Sequence, residues 1–117
     1  MGKASLLLVD DDEMSSQILS YILVDEGYNV DLAATGGAAI EKVSTKNYDL
    51  VFLDFMLPDM SGHEVAKRMR GIRPGIKIFL LTGYTKSGDP EESNYERILL
   101  KPVPPEEIVK TIVEILR

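Results

Sequence analysis

At 117 residues the chain has room for one hydrophobic core, and its 44% apolar content is enough to fill one. The absence of cysteine excludes disulfide frameworks, thiolate catalysis and sulfur-ligated zinc, so any metal must be held by oxygen ligands. A net charge of -6 with no basic cluster along any helix excludes the electrostatic footprint of a nucleic-acid binder, and no apolar run is long enough to span a bilayer.

The elements follow from hydrophobic periodicity and from glycine and proline punctuation. Leu6 to Asp10, LLLVD, is a continuous apolar run of strand length. Met14, Ile18 and Ile22 then recur at helical spacing, the stripe of an amphipathic helix that Gly27 stops. YNVDLA alternates Val30 and Leu32 with polar neighbours, and after Gly36 and Gly37 a short helix places Ile40 and Val43 inward. LVFLD, Leu50 to Asp54, is the most apolar strand, and the LPDMSG loop leads from it into a helix with Val65 and Met69 facing the core. KIFLLTG predicts a fourth strand ending at Thr82, and RILLKP a fifth ending at Lys101. The stretch between them carries the loop-like SGDPEES and predicts only a short fourth helix. Pro105 opens a last helix, with Glu106 and Glu107 at its positive end and Ile108, Ile112, Ile115 and Leu116 as its stripe.

Strands alternating with helices predict a parallel sheet covered on both faces, because each parallel connection needs a right-handed crossover. The expected architecture is α/β, a flavodoxin-like doubly wound (βα)5 sandwich with its five strands in the order 2-1-3-4-5. Ligands of such sheets sit beyond the carboxyl ends of the strands. Those ends are polar here: Asp10 and Asp11, then Asp54, Thr82 and Lys101. The strand order makes the first and third strands neighbours, so Asp10, Asp11 and Asp54 share a pocket. Three carboxylates that close repel one another unless a cation intervenes, and a hard divalent ion such as Mg²⁺ suits all-oxygen ligands. A carboxylate attacks phosphorus to give an acyl phosphate when a metal and a fixed cation neutralise the moving charge. Lys101 is the fixed cation, and Thr82 is placed to donate its hydroxyl to a phosphoryl oxygen.

VDD after an apolar strand, LDFMLPDMSG, LLTG and LLKP, in that order across nearly the whole chain, resemble the response-regulator receiver family of two-component signalling. The resemblance implies that Asp54 is the phosphoacceptor and that Asp10, Asp11, Asp54 and the backbone carbonyl of Met56 hold Mg²⁺. It implies that Thr82 and Lys101 complete the site, with a cis peptide before Pro102. It further implies a signalling switch rather than an enzyme: one receiver domain over residues 1–117, without an output domain, in the cytoplasm. The phosphodonor would be a histidine kinase or phosphotransfer protein, because the single histidine, His63, opens a helix where a solvated or capping role is expected. The downstream partner is an effector protein or output domain that the sequence does not identify.

Each residue also has a plainer reading. Acidic residues after a strand cap the next helix, Thr82-Gly83 makes an ordinary strand exit, and Lys101-Pro102 an ordinary turn. Two other functions fit parts of the pattern. LLLVDDDEM also reads as the nucleophile motif of haloacid-dehalogenase-type phosphatases, with Asp10 as nucleophile, and a receiver that signals by binding alone keeps the fold without the chemistry. Ile98 departs from the family, which has an aromatic residue three before the lysine; Tyr84 or Tyr95 is the expected substitute, and Met56 with Tyr84 the expected shield of an acyl phosphate.

Overall fold

The apolar runs become the interior of a five-stranded parallel sheet. In the computed structural model, which describes residues 4–83 and 95–116, the chain runs β1 (Ser5–Val9), α1 (Glu13–Asp25), β2 (Asn29–Ala33), α2 (Gly36–Thr45), β3 (Leu50–Asp54), α3 (Gly62–Ile72), β4 (Ile78–Thr82), β5 (Arg97–Leu100) and α4 (Pro105–Leu116). The strand order is β2-β1-β3-β4-β5, as expected from the sequence. The segment expected to hold a short helix before β5, with Tyr84, lies outside the described residues.

Strand composition tracks position in the sheet. β3 and β4 are buried along their whole length, whereas the edge strands β2 and β5 are mostly half exposed. A strand covered on both faces needs apolar residues at every position, which is why LVFLD and IFLLT lack alternation. Successive side chains still point to opposite faces and feed two cores. Leu7, Val9, Val51, Leu53, Ile78 and Leu80 meet Ala39 and Val43 of α2 and Val65, Ala66 and Met69 of α3. Leu6, Leu8, Leu50, Phe52, Phe79 and Leu81 meet Leu23 of α1 and Ile108 and Ile112 of α4. Phe52 and Phe79 pack edge to face in this second core with ring centroids 5.3 Å apart.

Side-chain caps set three of the helix starts. Asp12, Thr35 and Ser61 accept from the amides of Ser15, Ala38 and Glu64, each satisfying a donor that the helix itself leaves open. Gly27, at φ 99°, ends α1 in the left-handed region.

The inner face of α1 differs from the expected stripe. Met14 and Ile18 are 72% and 56% exposed, and Ser16 and Leu23 are the buried residues instead, with Leu19 packed beside them. EMSSQILSYILVD carries two interleaved apolar stripes, and periodicity alone does not choose between them. Docking on β1 and β2 turns the Leu19 and Leu23 stripe inward and leaves Met14, Ile18 and Tyr21 facing out.

Candidate functional site

Strand order assembles the site. β1 and β3 pair with Val9 beside Leu53, so the chain leaves the two strands at adjacent points, through Asp10 and at Asp54. The ladder continues past the strands on both sides: Asp10 N donates to Ala33 O at 3.0 Å, and Phe55 N to Leu81 O at 2.9 Å. On the far side, Thr82 stands opposite Leu100, and Lys101 N donates to Thr82 O at 2.8 Å. Asp10, Asp54, Thr82 and Lys101 therefore lie along one rim. The Lys101-Pro102 peptide is cis, as the resemblance implies.

The rim is electrostatically unbalanced. One carboxylate oxygen from each of Asp10, Asp11 and Asp54 lies within 4.8 Å of the others. Asp54 is buried, Asp10 half-buried and Asp11 exposed. Lys101 Nζ stands 3.1 Å from Asp54 Oδ2 and 3.9 Å from Asp10 Oδ2. Burial raises the Asp10 carboxyl above its ordinary value and the nearby Asp54 charge adds to this; the Asp12 amide and Lys101 pull the other way. Asp12 N donates to Asp10 Oδ1 at 2.9 Å, and Met56 N to Asp54 Oδ1 at 3.3 Å. These bonds orient the two carboxylates and leave their other oxygens to the pocket.

The donor set fits a hard divalent cation. Oxygens around Mg²⁺ lie about 3 Å apart when adjacent and about 4 Å apart when opposite, given metal-oxygen bonds of about 2.1 Å. Three carboxylates spanning 4.8 Å are within a small rotamer adjustment of that spacing. Without an ion, Asp10 is a liability to the fold. A carboxyl whose folded pKa exceeds its unfolded value stabilises the fold fully below the ordinary 3.8, and that stability is lost as pH rises through the raised value. Asp10→Asn keeps an acceptor for the Asp12 amide and removes the charge. In chelator at neutral pH it is expected to raise the Tm, and a Tm at or below wild type would contradict this picture of the pocket.

Two features escaped sequence reasoning. His63 neither caps α3, which Ser61 does, nor stands open to solvent: it is half-buried, with Phe55 edge-on at 4.9 Å between centroids, and Nδ1 is hydrogen-bonded to the Tyr95 hydroxyl. The Arg70 guanidinium lies over the Tyr95 ring at 5.1 Å, so the entry to β5 is held against α3. Tyr95 and Ile98 both pack on the α2–α3 side of the sheet. The second feature is Asp59, whose carboxylate accepts from the amides of Gly36 and Gly37 at 2.8 and 2.9 Å. An aspartate in a turn-like loop and a pair of glycines more than twenty residues earlier carry no local signal of this contact.

A family model described as the response regulator receiver domain matches residues 6–113. The probable transcriptional regulatory protein TcrX of Mycobacterium tuberculosis is 35% identical over 123 aligned residues, covering 97% of this chain and 50% of that protein. The alkaline phosphatase synthesis transcriptional regulatory protein PhoP of Bacillus subtilis is 35% identical over 115 residues, covering 96% of this chain and 48% of its own. The chain thus spans about half the length of these relatives. Among solved structures, a CheY-like receiver domain protein from Methanospirillum hungatei superposes with TM-score 0.89 at 32% identity, over 95% of this chain and 91% of that one. The response regulator TrrA from Thermotoga maritima, solved in complex with Mg²⁺-BeF, superposes with TM-score 0.87 at 32% identity, over 97% and 99% of the two chains.

Proposed function

The chain belongs to the response-regulator receiver family, and from that premise we propose that it is a phosphorylation-dependent signalling switch whose phosphoacceptor is Asp54. The observation that carries this reading is the position of Asp54: a buried carboxylate ending the central strand β3, 3.1 Å from the Lys101 ammonium and beside two further acidic residues.

In the proposed reaction an Asp54 carboxylate oxygen bonds to the phosphorus of a partner's phosphohistidine. The phosphorus-nitrogen bond breaks, the imidazole keeps its electron pair, and Asp54 becomes an acyl phosphate. Asp10, Asp11, Asp54 and the Met56 carbonyl would hold Mg²⁺, which supplies charge neutralisation at the phosphoryl oxygens. Lys101 is held by its backbone bond to Thr82, where its ammonium can pair with a phosphoryl oxygen. The Thr82 hydroxyl would donate to another and so register the modification at the end of β4. The chain is a signalling domain that promotes its own phosphorylation and dephosphorylation rather than an enzyme acting on other substrates.

A histidine kinase or phosphotransfer protein is the proposed donor, and an effector protein or output domain the proposed receiver of the signal. Residues 1–117 are read as one receiver domain acting in the cytoplasm without touching nucleic acid itself. Among the described residues no helix is long and apolar enough to cross a membrane. The phosphatase reading, with Asp10 as nucleophile, leaves the Asp54–Lys101 pair without a role. Incubation with acetyl phosphate and Mg²⁺ is expected to add one phosphoryl group by intact mass, and chelator should prevent it. No adduct under any condition would favour a receiver that signals by binding alone.

A further inference from the structure

The loop between β3 and α3 begins at the phosphoacceptor and contains Met56. Its root is closed: Gly62 N donates to Phe55 O at 2.7 Å, and Met56 and Ser61 form an isolated antiparallel bridge. Its tip is anchored elsewhere, on the first turn of α2. Asp59 Oδ1 accepts from Gly36 N at 2.8 Å and Oδ2 from Gly37 N at 2.9 Å. These are two of the donors that a helix start cannot satisfy internally, and the helix dipole favours an anion there. The same two bonds hold the Asp59 carboxyl below its ordinary value. Contact between tip and helix is close, because a Cβ on Gly36 would lie 2.7 Å from both Met60 Cγ and Val65 Cγ2.

We propose that Asp59 is a positioning residue of the metal site: by clipping the loop tip to α2 it holds the Met56 carbonyl where a divalent cation needs it. This rests on the metal reading above. The Met56 carbonyl is the one proposed ligand supplied by the backbone of this loop; the others are side chains, Asp54 at the end of β3 and Asp10 and Asp11 one and two residues beyond β1. With both ends of the loop tied, its ligand-presenting conformation dominates. When the tip is released, only a fraction of molecules present the carbonyl, and apparent affinity falls by that fraction.

Calorimetric titration of Mg²⁺ into wild type, Asp59→Ala, Asp59→Asn and Thr35→Ala tests the proposal. Thr35→Ala is the control for helix stability, because Thr35 caps the same helix through Ala38 N, whereas the bonds to the loop tip are made by Asp59 with Gly36 N and Gly37 N. Asp59→Ala is expected to bind Mg²⁺ about tenfold more weakly, at the low end for loss of an outer partner of a metal site. Thr35→Ala should stay near wild type, and Asp59→Asn, which keeps one carbonyl acceptor, should fall between. Wild-type affinity in Asp59→Ala, or an equal loss in Thr35→Ala, would overturn the clip while leaving the metal site intact. Should Asp59→Ala not fold, unchanged affinity in Asp59→Asn would overturn it equally. Absence of Mg²⁺ binding by wild type would instead remove the metal reading, and the clip with it.

Discussion

Asp54→Asn is expected to abolish phosphoryl incorporation from acetyl phosphate, to below about one per cent of wild type, because the amide lacks the nucleophilic oxygen and its charge. The fold should survive. Asparagine is nearly isosteric, and its carbonyl can still accept from Met56 N, as Asp54 Oδ1 does at 3.3 Å. Lys101 loses the partner at 3.1 Å but keeps Asp10, at 3.9 Å, and it is itself 37% exposed, so its charge remains solvated. Intact mass after incubation with Mg²⁺ is the readout, with circular dichroism to confirm folding. The rival chemistry has a different signature: continuous phosphate release that persists in Asp54→Asn and vanishes in Asp10→Asn would make Asp10 the nucleophile. An adduct that survives Asp54→Asn without turnover would place the acceptor on another side chain and sink the assignment.

Gly62→Ala is expected to destabilise the fold by about 2–3 kcal/mol, the upper part of the range for overpacking, and to lower phosphorylation with it. Gly62 opens α3 where the helix crosses the root of the loop that follows β3. A Cβ there would lie 2.9 Å from Phe55 Cα and 3.0 Å from Asp54 O. Both are backbone atoms, so no rotamer change relieves the contact; either α3 or the Asp54–Phe55 peptide must move. Gly71, in the same helix, is the internal control. A Cβ there meets nothing within 4 Å, so Gly71→Ala should gain roughly 0.5–1 kcal/mol from helix propensity and lower chain entropy. Urea unfolding of both variants measures the contrast, and a Gly62→Ala midpoint equal to wild type would show that the close approach is not tight.

Which residues share the rim was legible in the sequence because a parallel sheet leaves little freedom. An apolar run must be a covered strand, its crossovers have one hand, and its carboxyl ends must share a rim. Asp10, Asp54, Thr82 and Lys101 were identifiable as the polar residues ending such runs, and the structure brings them together along β1, β3, β4 and the end of β5. The resemblance added Met56, which no pattern of charge or hydropathy marks.

Local sequence determined the strands, the caps at Asp12, Thr35 and Ser61 and the stop at Gly27, since each depends on neighbours a few residues away. Tertiary structure alone decided which stripe of α1 turns inward, that His63 packs between Phe55 and Tyr95, and that Asp59 caps a helix begun 23 residues earlier. The physical reason is common to the three. Helix-facing choices among several apolar residues, ring contacts and capping from another segment are settled by surfaces that meet only after the sheet has formed, so periodicity along one segment cannot specify them.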